Sequence, residues 1–414
     1  MKNVLVIGGG ARESALALKF HQSPQVDHVY VAPGNPAMTI LGVEPVGIKE
    51  DQVPELIKFS QDHQINLTFV GPEVPLAAGI VDAFQEAHLP IFGVTKKLAQ
   101  LESSKTFAKN FMHRHHLPTA ASKTVHSELE AHAEATLMGL PVVLKKDGLA
   151  AGKGVIIAQD AAALDDAIDR LYEGHPDATV LLEQYLDGEE ASVMALFNGQ
   201  NRVILPLSQD HKRRFAADRG PNTGGMGAIS PLPQFTTDQV QAAQALVDAT
   251  LAGMQEDGLD GQGVMYIGLI FTADGPKILE YNMRFGDPET QVLLPQIEND
   301  FYQLVTDLLN GQQPDLKLNG QAYACFVAVN PDYPGSELKQ VPVIVPKDWP
   351  IGTWLPAGVN QTENGWVSSS GRIFSVVEAA STLSEAVMKA KKAMESIQGV
   401  LDYRTDIGFH AVKS

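Results

Sequence analysis

Residues 142–158 read VVLKKDGLAAGKGVIIA, two β-branched apolar runs joined by a loop of Gly, Ala, Asp and Lys. Successive backbone N–H groups with little side chain in the way cradle an anion, and lysine adds a point charge. A P-loop would need GxxxxGK followed by Ser or Thr. Here Gly148 and Gly152 stand too close, Gly154 follows Lys153, and no helix pattern comes next. VIIA continues as a strand, so the unit is a β-hairpin able to fold over a phosphorylated ligand. A surface hairpin with no ligand is the competing reading, and the surrounding sequence weighs between them.

Upstream, strand-like and helix-like segments alternate: KNVLVIG, ARESALALKFH, HVYVAP, NLTFVGPE, PIFGV. That alternation predicts an α/β domain with a parallel sheet over residues 1–101. The amphipathic stretch LESSKTFAKNFMHRHHL predicts a helix leading into a second region, 102–325, whose part from about 122 to 188 is built around the hairpin. Residues 326–414 are rich in Pro, Gly and Val with one clear helix, near LSEAVMKAKKAMESI, and predict a small α+β closing domain.

The 414 residues carry 31 Lys and Arg against 49 Asp and Glu, a formal charge of −18, so a long nucleic acid would be repelled. Small phosphorylated ligands remain open, because a few local cations and backbone amides bind one phosphate. The only cysteine, Cys325, lies in the apolar run YACFVAV and excludes an intrachain disulfide, which fits a reducing, cytoplasmic setting. No apolar run approaches the ~18 residues of a membrane span, and the first strand runs straight into Gly8, Gly9 and Gly10 with no signal peptide.

Three further stretches carry chemistry. VLVIGGGARESA lacks the third glycine of a dinucleotide fingerprint, with Glu13 in its place, which leaves a tight turn entering a helix N-terminus and able to hold an anion. In YIGLIFTADGPKILEYNMRFGDPET a DG turn predicts a hairpin whose second strand sets Ile278, Glu280, Asn282 and Arg284 on one side by alternation. A carboxylate and an amide oxygen two residues apart suit magnesium, Arg284 suits a carboxylate or phosphate, and Asp287 and Glu289 follow in a Gly-Pro turn. SQDHKRRFAADRGPNTGGMGAISP has almost no hydrophobic period and reads as a long functional loop, opened by Asp210, His211, Lys212 and Arg213. No nucleophile elbow, Cys/His dyad or zinc pattern stands out.

In chain order IGGGARE, VAPGNP, VGPEVPL, LESSK, KDGLAAGKGV, LDGEEAS, SQDHKR, GPNTGGMGA, RFGDPET and YRTDIG resemble the phosphoribosylamine-glycine ligases of the ATP-grasp superfamily over nearly the whole chain. The resemblance implies an ATP-grasp enzyme with an N-terminal parallel-sheet domain, a mobile nucleotide-covering subdomain, a central α+β domain and a small C-terminal α+β domain. It implies ATP, glycine and 5-phosphoribosylamine as substrates, magnesium or manganese as cofactor, no membrane partner, and a monomer. By resemblance Lys105, Lys145, Gly148, Gly152, Lys153 and Gly154 hold the nucleotide phosphates, Glu183 and Tyr185 the adenine, Glu190 the ribose, and Glu280 and Asn282 the metal. Catalysis is implied for Arg284, Asp210, Lys212, Arg213 and Asp287. Substrate contacts are implied for Gly8, Gly10, Gly71, Glu73, Asn222, Gly224, Gly225, Pro288 and Glu289. Ser14 departs from the histidine common in the family. An ATP-grasp ligase of other substrates would keep the lysines and metal ligands without requiring SQDHKR or NTGGMGA.

Overall fold

The computed structural model describes residues 1–149, 154–345, 350, 352–397 and 399–412. Its first layer is a five-stranded parallel sheet in the order Glu44–Pro45, Val26–Pro33, Lys2–Gly8, Ile65–Val70, Ile91–Phe92. Val4 to Ile7 are fully buried, as a central parallel strand covered on both faces requires. The chain moves outward from Lys2–Gly8 to one edge and then returns to its other side. The crevice of this doubly wound sheet therefore opens where Gly8–Gly10 and Gly71 leave their strands.

The hairpin forms as the sequence predicts, Val142–Lys146 against Val155–Ala158 in register from Val142 opposite Ala158. It belongs to an antiparallel sheet ordered Ser122–Val125, Val180–Gln184, Val142–Lys146, Val155–Ala158, backed by helices Glu128–Met138 and Ala161–Tyr172. Val142, Leu144, Ile168, Leu171 and Leu182 belong to a core separate from that of the rest of the chain. Gly152 and Lys153, at the tip, lie outside the described residues.

A second antiparallel sheet, ordered Asn201–Ile204, Glu189–Asn198, Gln262–Thr272, Gly275–Asn282, contains the DG hairpin. A register shift opposite Gly268 and Leu269 leaves Leu279 as an extra residue in the last strand. Alternation therefore breaks there: Ile278 is fully buried and Tyr281 nearly so, while Glu280 and Asn282 are half-buried together on the other face. The expectation that Ile278 shares a side with Glu280 is corrected by this bulge.

The stretch 208–231 is not a loop. Gln209–Asp210 and Gly227–Ser230 join the C-terminal sheet, ordered Gln209–Asp210, Gly227–Ser230, Ala322–Val329, Arg372–Ala380, Trp354–Pro356, and Arg213–Phe215 pairs with Arg219–Asn222 as a hairpin. Strands of two to four residues leave no local period to read, and the partner that holds Gly227–Ser230 in the sheet lies about a hundred positions away. Residue 325 lies inside the strand Ala322–Val329, where Cys325 is buried. The predicted late helix is Leu383–Glu395, packed across Ala322–Val329 and Arg372–Ala380.

Candidate active site

Ser104 leaves the helical conformation and caps the helix Lys105–Arg114 through a hydrogen bond from Phe107 N–H, so Lys105 stands at the first helical position. Asp147, at the start of the hairpin loop, accepts the backbone N–H of Lys105 at 2.5 Å and the Ser104 hydroxyl at 3.2 Å. A carboxylate there satisfies donors the helix leaves open and ties the hairpin to the helix. The Lys105 ammonium donates to Gly148 O at 2.7 Å, and burial above all lowers its pKa. Lys145 projects from its strand to Glu183 Oε2 at 2.8 Å, and Lys109 reaches Glu183 Oε1 at 3.1 Å. Glu183 thus neutralises two buried ammonium groups through its side chain, while Tyr185 lies on the rim, about one-third exposed. Lys109 was legible four residues beyond Lys105 on the same helix face, yet carried no motif.

Glu280 lies 4.0 Å from Lys212 Nζ, which also meets Glu190 at 3.3 Å and Asp210 at 4.0 Å. Burial pushes the Glu280 carboxyl up, but Lys212, Lys145 and Lys105 together hold it below the usual range, so it is an anion facing three cations. Asn282 Oδ1 accepts from Arg284 Nη2 at 3.2 Å. An ionised carboxylate and an amide oxygen on one face of a strand form a donor set that fits a divalent cation sharing its shell with water and phosphate. Among the described residues no group of three or more His, Cys, Asp or Glu is arranged for a metal.

Burial and then the charge of Asp210 push the Glu289 carboxyl up to about 8. Glu289 is buried beside Ser192, whose hydroxyl bonds Tyr266 Oη at 2.8 Å. Burial opposes the charge on Lys212 too, yet Asp210 and Glu190 raise its pKa well above normal. Arg213 is not brought to this cluster: its guanidinium donates to Gly220 O within its own hairpin.

At the crevice of the first sheet, Glu13 accepts Gly10 N–H at 2.7 Å and Arg12 Nε at 2.6 Å, and its side chain fills the space that Cβ atoms on Gly8 and Gly71 would need. Arg284 pairs with Glu73 at 3.3 Å and with Glu102 at 3.1 Å, joining the crevice to the strand that carries Glu280 and Asn282. Asp287 pairs with Arg372 at 2.8 Å, and Arg372 also donates to Gly224 O and to Asp287 O. Gly225 packs on Pro288, and Asn222 pairs across its hairpin with Arg213. A cavity of about 500 Å³, lined by Gly10, Asn35, Glu50, Asp287, Tyr333 and Arg372, opens between the first sheet and the C-terminal sheet. Burial, then Glu13, pushes the Glu50 carboxyl in that cavity up to about 7. Ser14 is buried and donates to Pro356 O at 2.5 Å. Glu13, Glu50, Glu102 and Arg372 were missed in the sequence, since no spacing links them.

Three family models match in chain order: the phosphoribosylglycinamide synthetase N domain over residues 2–102, its ATP-grasp (A) domain over 103–290 and its C domain over 323–410. The chain is 43% identical to the phosphoribosylamine–glycine ligase of Halalkalibacterium halodurans, covering 99% of this chain and 97% of that one. It is likewise 43% identical to that of Lactococcus lactis, covering 99% and 100%. The solved phosphoribosylamine–glycine ligase of Thermotoga maritima superposes with a TM-score of 0.84 at 30% identity, covering 98% of this chain and all of that one. A biotin carboxylase of Campylobacter jejuni, 15% identical with a TM-score of 0.73 and covering 97% and 92%, shares the fold. With family models spanning both ends of the chain and curated relatives 43% identical over nearly its whole length, this chain belongs to the phosphoribosylglycinamide synthetase family of ATP-grasp ligases.

Proposed function

We infer that this chain joins glycine to 5-phosphoribosylamine with cleavage of ATP, through glycyl phosphate, giving glycinamide ribonucleotide, ADP and phosphate, a step of purine synthesis. The observation that carries the reading is the convergence of Lys105, Lys145 and Lys212 on Glu280, beside a cavity lined by Glu50, Asp287 and Arg372. The lysines suit the nucleotide phosphates, and the cavity suits a sugar phosphate with its amine toward Asp287. In the first step a carboxylate oxygen of glycine bonds the γ-phosphorus and ADP leaves. In the second the amine bonds the acyl carbon, phosphate leaves, and the nitrogen releases a proton. Neither step needs a protein nucleophile, so the chain supplies position and charge.

Glu280 and Asn282 would hold a magnesium or manganese ion, which supplies charge neutralisation at the transferring phosphoryl group. Lys105 and Lys145 would orient the phosphates beneath the hairpin. Lys212 and Arg284 would face the glycine carboxylate and its acyl phosphate. The test is ADP release with ATP, magnesium, glycine and freshly generated phosphoribosylamine, against mixtures each lacking one component. ADP formed only in the complete mixture, with glycinamide ribonucleotide in equal amount, supports the reading; turnover indifferent to glycine or to phosphoribosylamine overturns it.

A further inference from the structure

His211 sits between Asp210 and Lys212, in the two-residue link between the strands Gln209–Asp210 and Arg213–Phe215, and its ring reaches Gly408 and Phe409 whereas Lys212 reaches Glu190 and Glu280. Its Nε2 accepts the N–H of Gly408 at 2.9 Å, and its ring is buried against Phe409. Arg404, with no exposed side-chain surface, donates to Arg213 O at 3.1 Å and pairs with Asp218 at 2.8 Å and Asp406 at 2.6 Å. Asp406 in turn accepts the N–H of Ala217 at 2.7 Å. Arg214 extends the contact, pairing with Asp402 at 2.6 Å. Ala217 and Asp218 have φ of 56° and 50°, a conformation that persists in such residues when surrounding contacts over-determine it. Here those contacts come from residues 404–410.

We propose that residues 402–410 are the template on which the segment 210–213, bearing Asp210 and Lys212, is set, with Arg404 and His211 as positioning residues for the ligase reaction. The proposal rests on the function inferred above. His211 and the Arg213 carbonyl bracket Lys212 from behind, and Thr223 closes the bracket by donating its N–H to Lys212 O at 2.8 Å. Among the described residues, none of these touches Lys105 or Lys145. The template therefore acts through Lys212, which faces glycine in this reading and meets Glu190 and Glu280 on its nucleotide side.

The experiment is a kinetic cycle of Arg404→Gln and Lys212→Met, with Arg404→Lys as the conservative variant. Arg404→Gln is expected to lower kcat/KM for glycine about 100-fold, the scale of a misplaced catalytic group, with a smaller rise in KM for ATP because Lys212 also meets Glu190 and Glu280. In the Lys212→Met background the same change is expected to cost less than about threefold, and Arg404→Lys to recover part of the loss. An equal cost in both backgrounds, or a loss matched by the unfolded fraction, overturns the proposal. Should Arg404→Gln fail to fold, Asp218→Asn, at a half-exposed partner, carries the same cycle with a loss of about tenfold. Amide hydrogen exchange separates this from the functional reading. If the wild type does not couple ATP cleavage to glycine, the substrate assignment falls. The template then still stands or falls on faster exchange at Ala217 and Thr223 in Arg404→Gln, with strand 142–146 unchanged.

Discussion

Glu183→Gln would remove the anion shared by Lys145 and Lys109. The carboxylate oxygens lie 2.8 and 3.1 Å from the two ammonium groups, and all three side chains are less than a tenth exposed. At an effective dielectric near 20 these separations give gross attractions of roughly 6 and 5 kcal/mol. Desolvation of each ion costs several kcal/mol and consumes much of that gain, so the net worth of the intact triad is small. Removing the shared partner is different, because two buried ammonium groups remain uncompensated, and the expected loss is about 3–5 kcal/mol. Burial already lowers the Lys109 pKa against the pull of Glu183, so in the variant this lysine sheds its proton more readily. The loss should therefore shrink as pH rises toward the ordinary lysine value of 10.5. The covering unit has its own core, so proteolysis pulses in urea follow its unfolding apart from the rest. Lys145 also loses its orienting bond, and KM for ATP should rise about tenfold, or 1.4 kcal/mol. Glu183→Gln with Lys109→Met, which removes the second stranded charge, should regain at least half of the lost stability. A destabilisation below about 1 kcal/mol at pH 7, or none regained in the double variant, would refute the triad as an electrostatic unit.

Asp147→Ala deletes the carboxylate at the N-terminus of Lys105–Arg114, and a loss of about 1 kcal/mol with a higher KM for ATP is expected by thermal unfolding and ATP titration. Glu289→Gln tests the buried carboxyl through linkage. A folded pKa of about 8 against an ordinary 4.5 means the native state holds a proton the unfolded chain has released, so wild-type stability is full below about pH 4.5 and falls as pH rises to about 8. Urea titrations across that window should show a flatter profile for Glu289→Gln. Gly225→Ala puts a Cβ 2.4 Å from Pro288 Cδ at a φ of +109°; it should cost about 2 kcal/mol or more and lower turnover, read by unfolding and ADP release together.

The sequence by itself determined what depends on neighbours a few residues away. Alternating apolar runs set the parallel sheet of residues 2–92, the hairpin 142–158 and the DG hairpin that ends in Glu280 and Asn282. Their periods of two and their turn residues are local physics, legible before any tertiary contact forms. The bulge at Leu279 was not legible, because it is a mismatch of register between two strands rather than a property of either.

Tertiary structure decided what long-range pairing supplies. Gly227–Ser230 becomes a strand because Ala322–Val329 offers it an edge, and Gln209–Asp210 pairs in turn on Gly227–Ser230; short segments without such edges cannot offset their loss of chain entropy. Arg372 meets Asp287 across 85 positions and Arg404 meets Asp218 across 186, pairs that no spacing announces. Glu183 illustrates the division most plainly. Its place on a strand could be read from LLEQYL, but its burial between Lys109 and Lys145 follows from the packing of a helix against two strands, which only the folded chain brings together.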